Sequence, residues 1–247
     1  IFVNFNFLPK TIYLDYNKTK FIALVVVVLI ITVTIVAGYI NFNNPRIASL
    51  KLDVDKKVEN IKTLNIVMAS DIHMGTIVSN GRVTKLVNMI NKLNPDIVLL
   101  PGDVFDEDLE PVIRRNLGND INKIKAKYGV YAVNGNHEFI GGAESAVKYM
   151  EDHGIKVLRD SAVLIANSFY IVGREDRSVN RIKPRKQIEE IINNCDNTKP
   201  MILLDHQPFH LEESQKAGID LQLSGHTHHG QLWPFNYITE KVYEVSW

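Results

Sequence analysis

The sequence has a single cysteine, Cys195, which excludes an intramolecular disulfide and a cysteine-built zinc site. It lacks an excess of either charge. Lys+Arg and Asp+Glu both number 28 and no long basic run occurs, so no nucleic acid is expected as a partner. It lacks internal repeats, and low complexity is confined to one valine-rich stretch. What remains is ordinary: 45% hydrophobic and 23% charged residues suffice for a packed core, and 247 residues allow one sizeable domain plus an accessory segment.

The accessory segment is Phe21–Ile40, an apolar run without a charge. As a helix it would span about 30 Å, the thickness of a bilayer core, and it is too long for a signal-peptide core. Lys18 and Lys20 abut its N-terminal end, whereas Arg46 and Lys51 lie further off on the other side. The positive-inside rule then predicts a cytoplasmic N-terminus and an extracytoplasmic domain at the cell membrane. Residues 1–20 form a flank whose apolar Ile1–Leu8 reads as the remnant of a further membrane segment. Residues 41–60 read as a polar tether, and residues 61–247 as the domain.

Within the domain, short apolar runs alternate with amphipathic ones. Leu64–Ala69, Asp96–Leu100, Tyr128–Val133, Pro200–Leu204 and Ile219–Leu223 read as strands. Ser79–Leu93, Glu110–Lys127 (with Gly118 as a weak point), Glu144–Asp152 and Arg185–Asn194 read as helices. Ile155–Leu158, Ala162–Ala166 and Phe169–Val172 read as antiparallel strands, followed by the charged loop Gly173–Arg177. Val242–Trp247 reads as a strand broken off from further ones, so the domain is expected to be truncated at its C-terminus. Strand–helix alternation is the pattern of an open α/β sheet with its site at the carboxyl ends of the strands.

Polar residues gather at those ends. Asp71 and His73 stand one residue apart after the first strand, Asp103 follows Gly102 after the second, and Asn136 and His137 follow the third. His206 follows Leu204-Asp205, and His226 and His228 stand between Gly225 and Gly230. If strand geometry persisted, His226 and His228 would point the same way and make a metal-ligand pair. Singly, Asp71, Asp103 and Asn136 are ordinary cap or turn residues. Together these groups form an oxygen–nitrogen donor set for Mn, Fe or Zn ions, too large for one ion and right for two sharing a carboxylate. Two such ions activate water and neutralise a phosphoryl group.

Asp71-x-His73, Gly102-Asp103-x-x-Asp106, Gly135-Asn136-His137-Glu138, His206 and Gly225-His226-x-His228 resemble the five ordered motifs of calcineurin-like metallophosphoesterases. Their surroundings are similar to the membrane-anchored bacterial YkuE-like branch. The resemblance covers about Leu64 to Pro234. It implies a four-layer α/β/β/α sandwich with two mixed sheets, preceded here by one transmembrane helix. It also implies that Asp71, His73 and His228 hold one divalent metal ion, that Asn136, His206 and His226 hold a second, and that Asp103 bridges them. His137 would contact the phosphate and protonate the leaving oxygen, and Asp106 would orient a histidine. His229 stands where this branch usually has glycine, and is expected to face solvent. The implied activity is hydrolysis of a phosphate ester, be it a phosphodiester, phosphomonoester or pyrophosphate, lipid-linked or soluble. A non-catalytic, membrane-tethered metal sensor is the reading from another class. It predicts loss of a ligand or of His137, and none is lost. A nuclease is disfavoured by the neutral charge balance.

Overall fold

The computed structural model describes residues 16–56, 58, 61–229 and 233–246. Ile1–Leu8, Gly230 and Trp247 lie outside the described residues. The chain divides into two units, the first ending at Leu52 and the second beginning at Asp53.

The first unit contains α1 (Tyr16–Asn43), longer than the predicted run by several residues at its start and three at its end. At 1.5 Å per residue it extends about 40 Å, enough to cross a bilayer. Thr32 and Thr34, which would be costly in lipid, donate their hydroxyls to the carbonyls of Val28 and Ile30, so the helix satisfies them itself.

The second unit is the domain. Its elements run β1 (Ile66–Met68), α2 (Asn80–Lys92), β2 (Ile97–Pro101), α3 (Glu110–Arg114), α4 (Gly118–Ile121), β3 (Val130–Val133), α5 (Asn136–Gly141), α6 (Ala143–Asp152) and β4 (Ile155–Val157). Then follow β5 (Ser161–Ile165), β6 (Phe169–Gly173), a 3-10 turn at Arg177–Arg181, α7 (Ile188–Ile192), β7 (Met201–Leu204), α8 (Leu211–Lys216), β8 (Leu221–Leu223) and α9 (Asn236–Val242). One sheet has the order β1-β2-β3-β4 and the other β5-β6-β7-β8.

Strand alternation builds four layers. In β2, Val98 and Leu100 pack outward with α2 residues Val83, Val87 and Ile90, while Ile97 and Leu99 pack inward on Phe169, Ile171, Ile202 and Leu204 of the other sheet. In β7, Ile202 and Leu204 share that inner core, while Met201 and Leu203 pack on Ile188 and Ile191 of α7. Helices, sheet, sheet and helix therefore stack in the expected α/β/β/α order. Strands buried on both faces also explain why these segments are continuous apolar runs rather than alternating ones.

Four details differ from the sequence reading. The second sheet is mixed, with β5–β6 antiparallel and the rest parallel, but the first has only parallel pairs among the described strands. Each of its connections carries a helix, as parallel neighbours require. Ile155–Val157 belongs to that parallel sheet, so only β5 and β6 form the antiparallel pair. The single helix expected over Glu110–Lys127 is two short ones, separated where Asn116 turns left-handed (φ 56°) and where Gly118 packs so close to the His153 ring that a Cβ would lie 2.3 Å from it. Val242 ends α9, and residues 243–246 form no strand.

Candidate metal centre

The seven predicted ligand residues lie at the carboxyl ends of β1, β2, β3, β7 and β8, where the two sheets meet. Five of them, Asp71, His73, Asp103, His226 and His228, have left-handed backbones with φ between 47° and 73°. Such conformations cost on the order of 1–3 kcal/mol each and persist where surrounding contacts impose them. The contacts are visible. Gly102 (φ 90°) lies so close to His206 that a Cβ would come within 2.5 Å of its Nδ1, and at Gly225 a Cβ would sit 1.8 Å from Ser70 Oγ. The backbone N–H of His226 donates to both Asp71 carboxylate oxygens (2.9 and 3.1 Å), which pins the last motif to the first.

Two groups of three possible ligands result: Asp71, His73 and His228, and Asp103, His206 and His226, the chosen atoms of each lying within 4.8 Å of one another. In the first, His73 Nε2 is 3.4 Å from His228 Nε2, and His228 Nε2 is 3.5 Å from Asp71 Oδ1. In the second, Asp103 Oδ2 is 3.2 Å from His206 Nε2, and His206 Nε2 is 3.2 Å from Asn136 Oδ1. Asp103 Oδ2 is also 3.9 Å from His73 Nε2, so this carboxylate stands between the groups. His226 and His228 do not act as a pair. The strand stops at Leu223 and both residues turn left-handed, so alternation no longer applies and each histidine joins a different group.

His137 lies beside the first group. Its ring centroid is 4.6 Å from that of His73 in an edge-on arrangement, and its Nδ1 is 3.4 Å from Asp106 Oδ1, without the alignment of a hydrogen bond. His73, Asp106 and His137 form a third group of possible ligands. The backbone N–H of His137 donates to Asp103 Oδ1 at 3.0 Å.

Charge sets His206 apart from the other imidazoles whose pKa shifts. Burial disfavours the His206 imidazolium, but the Asp103 carboxylate outweighs it and pushes the pKa up to about 9. For Asp103 burial alone would raise the pKa; the hydrogen bond and charge of His206 hold it below the usual carboxylate value. Burial lowers His73 and His226, reinforced by neighbouring imidazoles.

Several buried residues were missed in the sequence. Glu138, 1% exposed, accepts backbone N–H bonds from Asp103 (3.0 Å), Phe105 (2.9 Å) and Gly135 (2.7 Å), and so clamps the loop after β2 to the loop after β3. Burial, then the Asp103 charge, pushes its pKa up to about 7 against those bonds. The charged loop after β6 is not a solvated one: Arg174, Glu175 and Asp176 are buried. Arg174 and Arg185 both pair with Asp205, the residue before His206, while Asp176 accepts from Gln207, the residue after it (2.8 Å). The available signal was position, a charge run at a strand's carboxyl end. His229 faces solvent only in part. Its ring contacts Ser246 Oγ (3.1 Å) and lies 3.7 Å from Glu240.

Four imidazoles, two carboxylates and one amide, with no thiolate, suit a divalent metal with mixed nitrogen and oxygen ligands. Comparison with known proteins agrees. The family model of calcineurin-like phosphoesterases matches residues 64–230, and the chain belongs to that family. It is 32% identical over 206 residues to a metallophosphoesterase of Aquifex aeolicus described as uncharacterised, covering 81% of this chain and 77% of that protein. It is 30% identical over 227 residues to a transmembrane protein with metallophosphoesterase domain of Danio rerio, covering 86% of this chain and 52% of that one. The chain spans about half the length of several curated relatives it matches. Among solved structures, a 5'-nucleotidase precursor of Thermus thermophilus superposes with TM-score 0.48 and 18% identity, over 67% of this chain and 42% of that one. The family points to phosphoester hydrolysis with a divalent metal centre. The apolar α1 and the transmembrane relative point to a membrane protein.

Proposed function

We propose that this chain is a membrane-anchored phosphoesterase that uses two divalent metal ions (Mn, Fe or Zn) to hydrolyse phosphodiester, phosphomonoester or pyrophosphate bonds. The observation that carries the reading is Asp103, a buried carboxylate within 3.9 Å of imidazoles from both groups. Asp71, His73 and His228 would hold one ion, Asn136, His206 and His226 the other, and Asp103 would serve both. Bound metals supply Lewis-acid neutralisation of phosphoryl oxygens and a water of lowered pKa. The chain's own residues supply the rest. Glu138 and the loop glycines fix Asp103 against Asn136. Asp106, 3.4 Å from His137 Nδ1, would orient that ring on closing to a hydrogen bond, with Nε2 left to hold a proton for the leaving oxygen.

The test uses the metal-loaded chain in detergent and a panel of phosphomonoesters and diesters. His137→Ala is expected to lower turnover about 10²–10⁴-fold while metal content stays constant, with a smaller loss for nitrophenolate, which needs little protonation. Loss of metal from that variant would make His137 a ligand and overturn its role. The domain, residues 61–247 behind a tether at 41–60, lies outside the cytoplasm, on the support of Lys18 and Lys20 beside α1. A reporter fused after Asn60 should behave as exported; activity confined to a cytoplasmic fusion would reverse the orientation.

A further inference from the structure

The segment that leaves β6 is basic. Residues 177–186, Arg-Ser-Val-Asn-Arg-Ile-Lys-Pro-Arg-Lys, carry five cations and no acid in a chain with no net charge. Two of the five are engaged: the Arg177 guanidinium carbon lies 4.5 Å above the centroid of the Phe209 ring, and Arg185 pairs with Asp205. The acids just before the segment are turned inward, Glu175 to Arg159 and Asn134, Asp176 to Gln207 and the backbone N–H of Ser178. Arg181, Lys183 and Lys186 are exposed and have no ion pair among the described residues.

Between Arg181 and Lys183 stands Ile182, 76% exposed. It is not a core residue left over from a loose loop. Val179 and Ile188 on either side of it are each 1% exposed, so the segment has its apolar anchors already. Its backbone is also fixed. The N–H groups of Ile182 and Lys183 both donate to the Val179 carbonyl (2.8 and 2.9 Å), and that of Arg185 donates to Asn180 Oδ1 (2.9 Å). Arg185 Nε donates to the Glu175 carbonyl (2.7 Å) and Arg174 Nε to the Lys186 carbonyl (3.0 Å). A built turn thus holds a large aliphatic side chain in water with a free cation on each side.

A soluble phosphate or a nucleic acid would meet the two cations and gain nothing from Ile182. A bilayer takes both, the aliphatic side chain below the headgroups and the cations at the level of their phosphates. One such contact is weak alone, but the apolar α1 keeps the turn at high local concentration beside lipid.

We infer that the turn at 181–183 is a docking point for an anionic bilayer, with Lys186 adding to its charge. This goes beyond the phosphoesterase reading and rests only on α1 as anchor. A single helix fastens a chain to a membrane without choosing the face of the domain that meets it, and a second contact makes that choice. The base of the turn is tied through Arg185 to Asp205, the neighbour of His206, so docking orients the end of the domain that carries the metal centre.

The experiment uses the full chain reconstituted in vesicles of phosphatidylcholine, alone or mixed with phosphatidylglycerol. Ile182→Cys in a Cys195→Ser background carries an NBD fluorophore, and Lys148→Cys on α6 in the same background is the reference position. In mixed vesicles the probe at 182 should be quenched by lipids brominated in the acyl chain and shielded from aqueous iodide, and the probe at 148 should show neither. Arg181→Gln with Lys183→Gln should lower the ratio of docked to free turn about 30-fold, about fivefold for each cation. Pure phosphatidylcholine and raised salt should act in the same direction. Free access of iodide to position 182 in both kinds of vesicle overturns the docking point, as does lipid quenching indifferent to the charge changes. Shielding from iodide without lipid quenching puts a protein surface over Ile182, a second copy or another segment, and overturns the bilayer as its occupant. Flotation separates anchor from dock. A chain that floats only with mixed vesicles, and only with Arg181 and Lys183 intact, keeps the dock and defeats the anchoring by α1. A chain that floats with neither overturns both.

Discussion

The two halves of the centre each bring together one carboxylate and two imidazoles, the second with the Asn136 amide beside them, in different surroundings. Asp103 and His206 are all but inaccessible, at 1% and 0% side-chain exposure, whereas Asp71, His73 and His228 range from 14% to 36%. The deep half lies under the ends of β2 and β7, where Gly102 and Gly135 let the loops close tightly. The shallow half is completed by the loop after β8. Without metal the deep half holds a proton on His206 against the Asp103 carboxylate, while burial and neighbouring imidazoles lower the pKa of His73 in one half and His226 in the other. An ion entering the deep half must expel that proton and pass through packed side chains, so it should exchange more slowly than its neighbour. Similar donors in different surroundings thus give unequal sites.

The largest expected effect removes the distinction altogether. Asp103→Ala should take metal content from near two ions per chain to near zero by elemental analysis, because the carboxylate serves both halves. An unchanged count sinks the bridge. A smaller effect should separate the halves. Glu138→Gln puts an amide N–H against the backbone donors of Asp103, Phe105 and Gly135, and an unpaired buried N–H costs about 1–3 kcal/mol. A loss of that size lowers Tm by roughly 2–12 °C in a domain of this length, and slow metal retention should be lost before fast. Equal weakening of both ions would refute the division into deep and shallow. The mildest probe is pH. In the metal-free protein the folded pKa of His206, about 9, exceeds its unfolded value of 6.5. The folded state then binds the extra proton, so this contribution is complete below pH 6.5 and is lost as pH rises through about 9. Glu138, raised to about 7 from 4.5, acts in a lower window, so the slope of Tm between pH 7 and 9 isolates His206. His206→Asn should flatten that slope, and a flat parent profile would break the electrostatic half of the comparison.

The gathering of polar side chains at strand ends was legible: Asp71, His73, Asp103, Asn136, His206, His226 and His228 all stand past the carboxyl ends of strands, as the chain pattern predicts. The layers were legible for a related reason, since runs such as Ile97–Pro101 announce strands covered on both faces. Residues that act through distant partners were not. Glu138 works by accepting backbone bonds from residues up to 35 positions away, and Asp205 by meeting arginines from another strand end and the loop before α7, neither of which leaves a local pattern. The pairing of His226 with His228 failed because alternation was extended past the end of a strand. Arg177 was read only as part of a charged loop, because a ring stacked beneath it is a tertiary fact.

The link between the first and last motifs also has a consequence in time. His73 meets His228 across 155 residues of chain, and Asp71 meets the backbone of His226 across the same separation. A ribosome adding roughly 5–20 residues per second needs about 10–30 s to cover that stretch. Throughout that interval the nascent chain carries Asp71 and His73 without their partner, and from residue 103 onward Asp103 waits for His206. Neither group can be completed until His226 and His228 have emerged, so any metal captured by both groups arrives after the strands of the first sheet and cannot guide their folding.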